Sequence, residues 1–392
     1  MTRQYPFPEL SGFISVGIVL VFAFSALFVL NNILKSEGTI KKLFILNIAF
    51  LIVLVPYSIF LKGNDLGIAL RFFIILVLVL TSFFLPRKKF FVNAFLVIAT
   101  LHSLFIIIFE LYIVFFSDPA FQTHIRNTVL HLGLGDIYTY NGYFYRIQIK
   151  GNAILPIAFL VSLFAITEKR LKVTVATILF LGTFIAGNLA FLVAIAAYFL
   201  FYLFIYLFKL LRSKREMVKG KFFKDVKRTV ISLTVLISFT LAICIPMFNY
   251  LNDVIVRKSE YSIPARFDQV EVLFDDLFES PSSALFGQGL GNTLQVETEY
   301  RDYTNNTYFE LQTLYILNQV GILYMILFVI TKAFFVYKFW NNSKVYVLYG
   351  CYLLYALSNP YVFDTTNIII LIVLSSLNKL LTKEGTFNEG KV

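Results

Sequence analysis

The stretch Asn249 to Asn306 is the one long polar run in a chain otherwise built of apolar segments, and it leads into Tyr308-Phe309-Glu310-Leu311-Gln312. Glu310 therefore falls at the edge of an apolar segment, with Arg266 and Arg301 in the polar run before it. A carboxylate can take the proton of a reacting hydroxyl. Guanidinium groups offer forked, permanently charged donors that match phosphate oxygens. Ionisable groups at a membrane boundary are costly, which marks such a site as functional by default. A structural reading competes with it, because the helix dipole favours an acidic side chain at a helix amino terminus.

The polar run has internal order. Pro264 suits a first helical turn, and Phe267, Val270, Leu273, Phe274, Leu277 and Phe278 recur at helical spacing. That pattern predicts an amphipathic helix on the outer face of a membrane, with Arg266, Gln269, Asp276 and Glu279 on its other side. After Pro281, the run Gly287-Gln288-Gly289-Leu290-Gly291-Asn292 demands a tight backbone path. Alternate glycines can also bring backbone close to a phosphate. The strand-turn-helix context of a nucleotide fingerprint is missing here, so the run is weak on its own.

The rest of the chain must position these residues in a bilayer. With 392 residues, 58% hydrophobic, 18% aromatic and 15% charged, and a mean hydropathy of +0.78, an ordinary soluble globule is excluded. The expected class is an all-α polytopic membrane protein of about eleven spans, within a range of ten to twelve. They fall near 10–33, 43–61, 66–85, 90–116, 151–166, 173–187, 189–208, 229–249, 308–331, 345–358 and 363–380. The first run is too long for the apolar part of a cleavable signal and is expected to stay as a span.

The net charge of +11 is distributed as a topology signal, because 24 of the 34 basic residues gather in alternate loops. Nine of them stand in 209–228, which the positive-inside rule makes a basic cytoplasmic loop facing anionic lipid. The amino terminus and the loops 117–150 and 250–307 are then external. The second of these is the large external loop with its short amphipathic helix. No nucleic acid is expected as a partner, and with no repeat or linker the chain reads as a single membrane domain, 1–392.

Cys244 and Cys351 both fall in expected spans, and three scattered histidines make no ligand set. Asp275 and Asp276 are adjacent, so on a helix they point about 100° apart. No metal and no cofactor are expected. Arg71 and Glu110 fall toward external ends and are expected to pair, while His102 is deeper and suits a hydrogen bond between helices.

Taken together, Arg266, then Gly287-x-Gly289-x-Gly291, then Glu310 eleven residues before Gly321-Ile322, resemble the signature region of the O-antigen polymerase and ligase superfamily. The likeness is strongest to the polymerases called Wzy. Arg146-Ile147-Gln148-Ile149-Lys150-Gly151-Asn152, entering the fifth span, is similar to an arginine-containing segment of that family. Ligases of the superfamily carry His-Asn where this chain has Glu310-Leu311, a departure that favours a polymerase over a ligase.

The resemblance implies a GT-C-like helical bundle in a bacterial inner membrane. Its activity would be to join undecaprenyl-diphosphate-linked oligosaccharide repeats at the periplasmic face, making O-antigen or a related polysaccharide. It implies Glu310 as general base and Arg266 and Arg146 as the first contacts to diphosphate, with Lys150 and Arg301 behind them. Gln312, Asn306, Tyr308, Gly287, Gly289 and Gly291 would contact sugar or shape the loop. A helical Gln312 would face away from Glu310, toward another part of the sugar or a neighbouring helix. The family also implies a chain-length regulator as a protein partner. A flippase for the same lipids is the rival of a different class.

Overall fold

The computed structural model describes residues 28–132, 135–139, 144–149, 151–213, 256, 260, 263–294, 297–298, 301–302, 304–307 and 309–389. The expected spans 10–33, apart from its last residues, and 229–249 lie outside these, as do most of the basic loop 209–228 and the start of the loop 250–307.

The described chain is mostly helical, for the reason the composition dictates. Apolar runs without water must satisfy every N–H and C=O within the segment. The helices are α1 (Gly38–Pro56), α2 (Leu66–Thr81), α3 (Lys89–Phe116), α4 (Pro119–His131), α5 (Leu155–Ala165), α6 (Lys169–Ile185) and α7 (Leu189–Ser213). Beyond the undescribed segment come α8 (Ile263–Leu277), α9 (Pro281–Phe286), α10 (Gln312–Phe339), α11 (Ser343–Ala356) and α12 (Thr365–Glu389).

Five of these elements are long and apolar enough to cross a membrane, namely Gly38–Leu61, Leu66–Phe84, Lys89–Phe116, Gln312–Phe339 and Thr365–Thr382. Asn152–Ala165 and Leu189–Ile205 are shorter apolar helices. The outward faces of Gly38–Leu61 and Lys89–Phe116 carry Val53, Phe60, Val97 and Phe115, each more than half exposed. Such side chains are a liability in water and the normal surface in lipid.

The inner faces interlock through aromatic rings. Phe83 and Phe84 at the end of α2 meet Phe335 and Phe339 of α10, with ring centroids 5.4 to 6.1 Å apart. Trp340 closes that end, its indole N–H donating to Ser375 Oγ at 2.9 Å. On α11, Tyr349, Tyr352 and Tyr355 recur every three residues and are all buried.

The all-α expectation needs two corrections. The stretch 117–150 is not a plain loop but a helix, α4, followed by an antiparallel hairpin of β1 (Gly135–Thr139) and β2 (Tyr145–Ile149). A second, two-residue pairing joins β3 (Glu297–Thr298) to β4 (Arg301–Asp302). The alternation in Tyr145-Arg146-Ile147-Gln148-Ile149 has the period of a strand, and its inner residues are buried against α3. The expected pairing of Arg71 with Glu110 is also absent. Arg71 is exposed, and a carboxylate oxygen of Glu110 instead accepts the Tyr145 N–H at 2.8 Å, anchoring β2 to α3. His102 hydrogen-bonds to Asn152 at 3.0 Å, and Asn152 in turn donates to the Ile147 carbonyl at 2.7 Å.

Helix α10 is broken. Gly321 has φ 71° and ψ 172°, which separates a short first segment from the long remainder. The loop from Gly287 to Asn292 fills that break.

Candidate functional site

Glu310 stands two residues before α10, in the turn that enters it, and its Oε2 lies 3.0 Å from Nη2 of Arg266 on α8. The pair is partly screened, with side chains 28% (Arg266) and 17% (Glu310) exposed. The N-cap of α10 is Leu311, the residue after Glu310.

Helix α8 carries Arg266 beside a buried stripe that mixes residues from both of its expected sides. The buried stripe is Ala265, Gln269, Leu273 and Leu277, four residues apart each time. Phe267, Phe274 and Phe278 point outward, and the last two stack with centroids 5.8 Å apart. Of the residues read as the polar side, Glu279 is exposed, whereas Gln269 is fully buried and its Oε1 accepts the Leu311 N–H at 3.4 Å. This bond joins α8 to the residue that follows Glu310.

Among the described residues, four donors in this region are buried with no hydrogen-bond partner: Arg266 Nε, Gln269 Nε2, Gln312 Nε2 and Thr313 Oγ1. Gln312 is 1% exposed, and its Oε1 accepts the Phe363 N–H at 3.1 Å, which fixes the amide with its NH2 unused. Buried polar atoms are nearly always satisfied, so a group of orphan donors around one ion pair calls for an explanation. Oxygen-rich ligands are what such donors suit.

Behind the pair lies the glycine run, whose amides are all committed. Gln288 N–H donates to the Asn318 carbonyl at 2.8 Å and Gly289 N–H to the Gln319 carbonyl at 3.0 Å, two acceptors just before the break at Gly321. Leu290 N–H donates to Ser58 Oγ at 2.7 Å, and Gly291 N–H to Gln319 Oε1 at 3.0 Å. Gly287 N–H closes α9 on the Ser283 carbonyl. In this arrangement the run cannot cradle a phosphate. Its glycines serve close approach: Gly287, Gly289 and Gly291 all have positive φ, and Gly287 lies directly against the backbone of Gln319 and Gly321.

Sequence reasoning missed the side chains that hold this loop. Asp276 Oδ2 accepts from Asn292 at 3.1 Å and from Asn318 at 2.8 Å. Gln288 donates to the Asp276 carbonyl at 2.6 Å and to Glu279 at 3.1 Å. Lys62 Nζ reaches Gln288 Oε1 and Ser283, and Asn64 reaches the carbonyls of Gln288 and Leu290. The signal was available in Asn318-Gln319, a polar pair inside an apolar segment.

Arg146 forms a different wall at the same end of the bundle. It is 2% exposed, its guanidinium lies 5.3 Å above the ring of its cross-strand neighbour Tyr138, and it packs on Gly187. Asn188 reaches Asn359 at 3.4 Å, and four residues on, Phe363 bonds Gln312. Helix α4 covers the hairpin's edge through Arg126, bonded to Asp136 at 3.0 Å, which raises the guanidinium's already high pKa. Between them is a cavity of about 200 Å³ lined by Gln122, Arg126, Tyr138 and Tyr145.

Asn306 pairs with Leu294 as an isolated antiparallel bridge, next to Asn305 at φ 54°. Lys150 and Tyr308 lie outside the described residues, and Arg301 is described in its backbone only. Among the described residues no group of three His, Cys, Asp or Glu is placed to hold a metal ion.

The class these features define is a helical membrane protein with a partly shielded Arg-Glu pair among unused donors. Comparison with family models, with curated proteins and with solved structures gives no match to this chain.

Proposed function

We propose that the chain is a membrane glycosyltransferase that polymerises undecaprenyl-diphosphate-linked oligosaccharide repeats, working at the periplasmic face of a bacterial inner membrane as a single GT-C-like domain of about eleven spans. The observation that carries this reading is the Arg266–Glu310 pair at 3.0 Å, set among the orphan donors of Arg266, Gln269, Gln312 and Thr313. It brings a proton acceptor next to an anion-binding group, and these are the two functions the transfer needs.

In the proposed reaction a hydroxyl oxygen of the acceptor sugar attacks the anomeric carbon of the donor chain. The new C–O bond forms as the bond to diphosphate breaks, with its electron pair leaving on the diphosphate oxygen. The hydroxyl proton passes to Glu310. Arg266 stabilises the leaving charge, an effect worth about 2.7 to 4 kcal/mol for one comparable donor. In the resting state the guanidinium occupies the carboxylate. An arriving diphosphate competes for Arg266 and frees a Glu310 oxygen, so the base becomes available when the donor is bound.

One observation favours the transport alternative, because α10 is a span broken at Gly321 and transporters use broken helices. Here the break is filled by backbone of residues 287–291 and not by a cavity. Purified protein in detergent, given synthetic undecaprenyl-diphosphate repeats, separates the readings. Formation of a ladder of lengths, with no membrane to cross, supports the polymerase; unchanged substrate from folded protein overturns it. Transfer to lipid A core instead would favour the ligase.

A further inference from the structure

Helix α4 does not lie flat on the β1–β2 hairpin. Between them the cavity of about 200 Å³ is lined by side chains from α3, α4 and both strands. The cross-strand pair Thr139–Tyr145 and, two residues along β1, Ile137 share one face of the hairpin and line it. Ile113 of α3 and Ile137 are buried and give it an apolar floor. Gln122, Thr123 and Arg126 close it from α4, at the three- and four-residue spacings that share a helix face.

The polar groups here are bonded to one another in a way that leaves capacity of both kinds. Tyr145 donates its O–H to Gln122 Oε1 at 2.5 Å, so the phenolic oxygen can still accept. Thr123 donates to the Pro119 carbonyl at 2.9 Å, and its oxygen is likewise an acceptor. The Gln122 amide uses one N–H on the Ser117 carbonyl at 3.4 Å and keeps the other. Arg126 commits Nε and Nη2 to the two oxygens of Asp136, at 3.0 and 3.3 Å, and its Nη1 bonds nothing among the described residues. Donors and acceptors side by side match a group that is both at once, which is what a hydroxyl is.

Charge narrows the ligand further. The two-point bond to Asp136 neutralises Arg126, so an anion finds no net positive charge, and among the described residues no carboxylate lines the cavity to hold a cation. The matching ligand is neutral, with hydroxyls on its edge and an apolar face to lay on Ile113 and Ile137. A pyranose ring has that form, with hydroxyls around its rim and C–H bonds on its faces. At about 30 Å³ per water the cavity has room for about six or seven waters, the space of about one hexose at interior packing density.

We propose that this cavity is a saccharide subsite that takes one neutral pyranose residue, with Ile113 and Ile137 under the ring, Gln122 and Arg126 donating to its hydroxyls, and Thr123 and Tyr145 accepting from them. It shares no residue with the Arg266–Glu310 site, and its test reads binding without turnover, so it stands or falls separately from the glycosyltransferase reading.

The test is saturation-transfer NMR on the full chain in detergent micelles, with the methyl glycosides of glucose, galactose, N-acetylglucosamine and rhamnose as probes. Transfer to at least one of these is expected, strongest at ring C–H protons. Thr123→Trp, which fills the cavity from an exposed helix position, should abolish it. Tyr145→Phe removes one acceptor and should weaken binding about two- to tenfold, the effect of one neutral hydrogen bond. This nearly isosteric variant keeps the test decisive if the tryptophan variant folds poorly. No transfer to any probe from the folded parent, transfer undiminished in Thr123→Trp and Tyr145→Phe, or displacement of the sugar by inorganic phosphate would each overturn the proposal.

Discussion

Arg266 Nη2 meets Glu310 Oε2 at 3.0 Å, across 44 residues of sequence, with both side chains mostly shielded. If the pair served only to tie α8 to α10, its polarity would be interchangeable. If it works as base and anion clamp, it is not. Glu310→Gln is expected to slow polymer elongation by about 10² to 10⁴, the usual contribution of a general base. Arg266→Ala is expected to slow it by about 10² to 10³. The reciprocal double variant, Arg266→Glu with Glu310→Arg, should recover thermal stability toward that of the parent while remaining inactive. Recovery of the polymer ladder in that double variant would assign the pair to structure alone.

The contact of Gly287 with Gly321 makes a second, purely structural prediction. A Cβ on Gly321 would press on the Gly287 amide and the Leu285 carbonyl, and φ 71° with ψ 172° is backbone that side chains avoid. Gly321→Ala should therefore cost at least about 1 to 3 kcal/mol, with poor accumulation and a lowered melting temperature. Gly350, inside α11 with open space where a Cβ would stand, is the control. Gly350→Ala should leave the melt unchanged or raise it, since glycine in a helix interior costs about 0.5 to 1 kcal/mol against alanine.

Asp276 carries a third. Its Oδ2 is the shared acceptor of the Asn292 and Asn318 amides. Asp276→Ala removes one bond from each amide beside the helix break, leaving Asn292 its bond to Asn318 Oδ1 and Asn318 its bond to the Leu273 carbonyl, both at 3.2 Å, and each N–H left without an acceptor costs about 1 to 3 kcal/mol. The melting temperature should fall more in this variant than in Asp275→Ala, whose side chain is exposed. Equal melts would show that the loop is held by its backbone bonds alone.

How much of this was legible in the sequence depends on what kind of information each feature needs. Apolar runs announced the helices because lipid imposes internal hydrogen bonding on any long segment. Lys88, Lys89, Lys169 and Arg170 were readable as one side of a topology. The Phe stripe of α8 was readable as apolar, yet not as outward, because Gln269 and Ala265 form a second buried stripe that hydropathy ranks below Phe267 and Phe274. The β1–β2 hairpin was hidden by the expectation that a polar segment between spans is loop. Depth in the bilayer points Glu110 toward Arg71, whereas its partner is the backbone amide of Tyr145, which no sequence pattern displays. The commitments of the glycine run's amides are equally invisible, since they depend on where α10 breaks.

The last prediction concerns Arg146 and separates two kinds of arginine. Arg266 is 28% exposed and can reach a ligand without disturbing the core, whereas Arg146 is 2% exposed, stacked on Tyr138 and packed against Gly187. Removing Arg146 deletes a large buried side chain at the joint between the hairpin and the α6–α7 turn. Arg146→Ala should then lose more than about 2 kcal/mol of stability, as core truncations do. Arg266→Ala should melt closer to the parent than Arg146→Ala does. Gly187→Ala supplies the finer test, because its φ of 66° disfavours a side chain and the added Cβ meets the Arg146 side chain from below. If Arg146 also holds diphosphate, Gly187→Ala should raise the KM for the lipid-linked donor beyond what its melt explains. If Arg146 only packs, activity per folded molecule in Gly187→Ala should equal that of the parent. Single-turnover rates normalised to monodisperse protein distinguish the two outcomes, and they do so without replacing the arginine itself.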